Sequence, residues 1–165
     1  MSILPKSTRV HARLQGSVVS RKHLSREIGE PKALGRRVAR RFIKRGKRPE
    51  VKALAEQLGV SVVEQEAPPP AQPDLRSEYR PSPPRIILYR DPLDQLSTAV
   101  HVGQRFDMLR CKVEDVHIAH ELFHHLQSGN RFGPLHPEEE EEAAHAFAQE
   151  LLGLEFHPTE YPETE

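Results

Sequence analysis

Residues His120-Glu121-Leu122-Phe123-His124 form an HExxH motif. On a helix, residues four apart lie one turn along the same face, so the imidazoles of His120 and His124 converge and can hold one metal ion. At a spacing of five the two rings would diverge. Glu121, beside them, can act as general base toward a water at that metal, the pattern of zinc-dependent hydrolysis. Val116, Ile118, Ala119, Leu122 and Phe123 surround the motif with apolar side chains. That places it on a half-buried helix, not in a charged loop.

Two histidines alone hold zinc poorly; a catalytic centre usually adds a third protein ligand and keeps one position for water. The acidic run Glu138 to Glu142 is the nearest source. Glu141 lies three positions before Ala144 and seven before Ala148, on the stripe expected to face the core, and is the first choice. Glu138, Glu139 and Glu140 are expected to point mostly to water. Glu142 shares a face with His145 and Gln149 and is the second choice. The plain alternative is a solvated helix start, favoured by the helix dipole. His145, one turn after Glu141, is expected to ligate in its place, to hydrogen-bond a ligand, or to be a packed core histidine. His117, three before His120, is expected either to complete an all-histidine site or to line the cleft. His125, about 100° around the helix from His124, reads as a surface or supporting residue. Tyr79 and Tyr89 are the two tyrosines near the expected cleft that could stabilise an oxyanion. Asp107 and Asp115 read as structural.

The elements that must position these groups are legible in part. Leu34, Val38 and Phe42, spaced by four, predict an amphipathic helix over Pro31 to Lys44 with a basic outer face. Pro49 opens a second helix carrying Val51, Leu54, Ala55 and Leu58, which Gly59 stops. Val60 to Glu66 alternates as a strand. Ala67 to Pro84 holds seven prolines in 18 residues and is expected to be an extended loop, either dangling or crossing the mouth of the site. Arg85 to Arg90 reads as a strand, followed by a helix capped by Asp91 or Asp94 and running to about Val100. Gly103 and Arg105 mark a break. The motif helix is expected over Glu114 to Gln127 and a last helix over Glu138 to Leu152, with Ala144, Phe147, Ala148 and Leu151 inward. The fold class is α+β, helices packed on a small sheet. Three segments are expected: a basic, disordered arm over 1–30, a domain over 31–153 containing the proline-rich loop 67–84, and a flexible tail over 154–165.

The chain has 165 residues, enough for one modest core, and a formal net charge of +0. That balance hides an asymmetry: Met1 to Arg48 carries 15 Lys/Arg against Glu27 and Glu30, whereas the residues after Ala67 carry 18 acidic against 8 basic. A basic arm of this kind suits nucleic acid, an acidic partner, or the acidic half of the same chain. The single cysteine, Cys111, excludes an internal disulfide and suits a reducing compartment. No apolar run approaches a membrane span and none follows the basic N-terminus as in a secretory signal. The expected location is the cytoplasm.

Three passages, in order, make the chain resemble the ImmA/IrrE family of zinc metallopeptidases. KALAEQLGVSVVEQE at Lys52 to Glu66 resembles that domain's helix-strand opening. RIILYRDPLDQL at Arg85 to Leu96 resembles its central strand and the turn into the next helix. VHIAHELFHHLQ at Val116 to Gln127, followed by EEAAHAFAQELLG at Glu141 to Gly153, resembles its HExxH helix and its Glu-bearing helix. The resemblance implies a minimal zincin-like domain with a Zn2+ site made by His120, His124 and a glutamate of the second helix, with Glu121 as base. Family members often carry Glu-Ala-Asn before a Phe, where this chain has Ala143, Ala144 and His145, so the glutamate is sought at Glu141 or Glu142. It also implies a hydrolase that cuts a regulatory protein, such as a repressor or antitoxin-like partner, at one site. The rival class is a catalytically silent, metal-stabilised regulatory protein that binds a partner or nucleic acid through its basic arm. A third reading, an accidental HExxH on a helical domain, predicts that no metal co-purifies.

Overall fold

A computed structural model describes residues 30–99 and 106–154. The basic arm before Glu30, the break at Gly103 and Arg105, Val100 and residues 155–165 lie outside the described residues, as do the side chains of Asp107 and Cys111. The described chain is α+β: five helices and a three-stranded mixed sheet.

Pro31 starts α1 (Pro31–Arg40) at the first helical position, where its missing N–H costs nothing. Leu34, Gly35, Val38 and Ala39 are buried and Arg36, Arg37 and Arg40 exposed, the amphipathic pattern expected. The helix ends at Arg40, four residues earlier than its apolar spacing predicts. Lys44 and Lys47 exchange backbone hydrogen bonds at 3.1 and 3.0 Å around Arg45 and Gly46, both at positive φ. That turn takes the chain out of the helix, yet Phe42 still meets Phe147 edge-on, with centroids 6.3 Å apart. In α2 (Val51–Gln57) the Glu50 carboxylate caps the start, accepting from Lys52 N at 3.1 Å and Ala53 N at 2.7 Å.

The sheet has the order β1-β3-β2. The central strand β3 (Pro84–Tyr89) runs parallel to β1 (Ser61–Gln65), with Val62 opposite Ile86. It runs antiparallel to β2 (Ser77–Pro81), with Tyr79 also opposite Ile86. Strand β2 corrects the sequence reading, which left residues 67–84 as loop throughout. Proline cannot donate to a ladder, so it is confined to sheet edges and strand ends, and here Pro81 ends the edge strand β2 and Pro84 begins the central strand β3 where the hairpin closes. Helix α3 (Arg90–Ala99) follows β3 directly.

Helix α4 (Phe106–Gln127) carries the motif and starts eight residues before the expected Glu114. Val113, Val116, Ile118, Ala119, Leu122 and Phe123 are almost wholly buried along it. Helix α5 (Pro137–Leu152) ends on Gly153 in the left-handed conformation, the usual glycine C-cap. Leu154, assigned from sequence to the tail, packs against the core. Helix α5 is held from both sides, by α4 and by α1. Gly35 lets α1 approach closely: a Cβ there would stand 2.1 Å from the Ala143 carbonyl oxygen and 2.9 Å from Phe147 N. Among the described residues, no helix is long and apolar enough to cross a membrane.

Candidate metal centre and its pocket

Helices α4 and α5 meet where the motif histidines face the acidic start of α5. His120 Nε2 lies 3.1 Å from His124 Nε2, His120 Nε2 is 3.1 Å from Glu141 Oε2, and His124 Nε2 is 3.1 Å from Glu141 Oε1. Donor atoms of a tetrahedral site with bonds of about 2.0–2.1 Å stand about 3.3–3.4 Å apart. These three side chains therefore converge at nearly the spacing a zinc-sized ion needs. His120, Glu141 and His145 also form a His/Glu/His group able to hold a metal ion, with donor atoms within 4.8 Å of one another.

The glutamates of the run are sorted by the helix crossing. Glu141 reaches both histidines, but not through the core stripe that the sequence suggested: its side chain stays 52% exposed at the pocket mouth. Glu140, expected to point to water, instead accepts from His124 Nδ1 at 2.7 Å. A carboxylate on the far nitrogen of a ligating histidine fixes its tautomer and orientation. Glu142 is exposed and lies outside the pocket. Glu139 folds back on the backbone N–H of His136 at 2.9 Å and completes a capping box.

These contacts set the charges. Burial lowers the pKa of His124, but the carboxylates of Glu141 and Glu140 more than offset it and raise it to about 9. Hydrogen bonds from His120 and His124 hold the Glu141 carboxyl far below the ordinary carboxylate range, against the opposing effect of burial.

Glu121 is buried at 6% exposure and accepts from Ser77 Oγ at 2.7 Å. Ser77, itself 8% exposed, comes from β2, inside the segment read as loop. Nothing local in the sequence marks it; only the pairing of β2 with β3 brings it to the motif. The same segment supplies one wall of a pocket of about 660 Å³, which includes Leu75, Arg76, Ser77 and Tyr79. The opposite wall carries His117, His120, Glu121, His124, Glu141 and His145. Within the proline-rich segment, Asp74 to Tyr79 and Pro81 line the pocket, so this part does not dangle.

His117 lines the pocket and lies outside the His120, Glu141, His145 group, so of its two expected roles it takes the cleft-lining one. Its Nδ1 donates to the Val113 carbonyl at 2.8 Å, and burial lowers its pKa to about 4. The ring is neutral near pH 7, with Nε2 left as an acceptor. Tyr79 lines the pocket and its hydroxyl bonds His125 Nδ1 at 2.8 Å, which gives His125 the supporting place expected of it. Tyr89 is fully buried, bonds Glu78, and is not on the pocket wall. Asp115 is half-buried, and burial raises its pKa.

No family model matches this chain, and no curated protein or solved structure matches it either.

Proposed function

We propose that the chain is a zinc-dependent metallopeptidase of the ImmA/IrrE, zincin-like kind, cutting a peptide bond in a regulatory protein partner in the cytoplasm. The observation that carries this reading is the 3.1 Å convergence of His120, His124 and Glu141 in a pocket that also holds the buried Glu121 carboxylate. His120, His124 and Glu141 would hold the ion, with Glu140 orienting His124. When bound, zinc supplies a Lewis acid that polarises a carbonyl and makes water more acidic. Glu121 takes a proton from the attacking water and passes it to the leaving amine. Ser77 holds the Glu121 carboxylate in place for that transfer.

The test is a pair of variants assayed on a pool of unstructured peptides by mass spectrometry. Glu121→Gln keeps zinc and abolishes cleavage, whereas His120→Ala loses both. Cleavage retained by purified Glu121→Gln protein would remove Glu121 from the mechanism.

A further inference from the structure

The two helices offer donors in matching pairs. His120 and His124 are four apart on α4, and Glu141 and His145 are four apart on α5. Each pair spans one turn of its helix, so both can present to one point between the helices. His145 is half-buried on the pocket wall. Its ring lies beside that of His120, with centroids 4.8 Å apart and planes tilted by 42°.

We propose that His145 is a fourth protein ligand, making the centre a three-histidine, one-glutamate site. This rests on the metal-centre reading above and extends it to the full coordination set. The donor atoms of His120, Glu141 and His145 lie within 4.8 Å of one another, so bringing them to the tetrahedral edge of about 3.4 Å asks for a shift of no more than about 1.4 Å. A change of the His145 side-chain torsions between staggered wells moves its ring nitrogens farther than that. The consequence is chemical. Zinc sites closed by four protein donors are structural or resting sites, whereas hydrolytic ones keep a position for water. With His145 bound, hydrolysis needs a fifth position or His145 off the metal, so this residue sets whether the centre is open.

X-ray absorption of the zinc-loaded full chain counts imidazoles directly and needs no substrate. Three imidazoles are expected in the wild type and two in His145→Ala. The Kd for Zn2+, read by chelator competition, should weaken by more than about 100-fold, beyond the ~10–100-fold cost of losing an outer hydrogen-bond partner. His145→Gln, which keeps a polar side chain but offers no imidazole, gives the same count if the alanine variant misfolds. Two imidazoles in the wild type would overturn the role of His145 and leave His120, His124 and Glu141 standing. A wild-type chain that binds no zinc would overturn both.

Discussion

Ser77 and Glu121, 44 residues apart in the chain, share a 2.7 Å hydrogen bond in which the serine hydroxyl donates to the buried carboxylate. Together with the Tyr79 hydroxyl on His125 Nδ1, it ties the edge strand β2 to the motif helix α4. Ser77→Ala leaves the Glu121 carboxylate buried without that donor. A cost of about 1–3 kcal/mol follows for an unsatisfied buried group, measurable by urea unfolding. Peptide cleavage should fall mainly in kcat, with zinc content unchanged. Unaltered stability and unaltered kcat would show that the bond does nothing for Glu121.

Glu140→Ala removes the carboxylate from His124 Nδ1 without touching Nε2, the nitrogen that faces His120 and Glu141. Zinc stoichiometry should persist while affinity falls by about 10–100-fold. Chelator competition reads this. Complete loss of zinc would instead make Glu140 a ligand in its own right.

The protons in the site give a pH signature. In the metal-free protein His124 has its pKa raised from 6.5 to about 9, so its pairing stabilises the fold fully below pH 6.5 and is lost as pH rises through about 9. Glu141 is shifted downward from 4.5, so its contribution is present above that value and lost as pH falls. Together they favour the metal-free fold most between about pH 4.5 and 6.5. Zinc needs His124 neutral, so below about pH 9 its affinity should rise by about tenfold per pH unit for this one proton. Calorimetric titrations at pH 6, 7 and 8 check the slope; a flat profile would mean that His124 does not ligate.

Gly35→Ala tests the close approach of α1 to α5. The new methyl would meet the Ala143 carbonyl at 2.1 Å, and backbone cannot swing aside as a side chain can. Destabilisation of about 1–3 kcal/mol is expected from overpacking, with a matching fall in Tm. An unchanged Tm would mean that the two helices can separate freely at this point.

How much of this was legible follows from the range of each interaction. His120, Glu121 and His124 were readable because their geometry is local to one helical turn. Glu141 was readable as the carboxylate that meets the motif histidines, but for the wrong reason: its side chain stays 52% exposed and does not lie on the core stripe. Which carboxylate of Glu138 to Glu142 meets His124 depends on where α5 crosses α4, and no local pattern encodes that crossing. Glu140 was missed on that account. Strand β2 was hidden by prolines on both sides, which an edge strand tolerates at its ends, and Ser77 was hidden with it. The sequence reading also started α4 too late, at Glu114 and Asp115. In the folded chain they lie within a 22-residue helix.

The most direct test of the central claim is elemental analysis of the purified full-length protein beside the His120→Ala/His124→Ala double variant. The account predicts about one zinc per chain, absent from the variant. A wild-type chain that carries no metal, and whose unfolding is not shifted by added zinc, would contradict it.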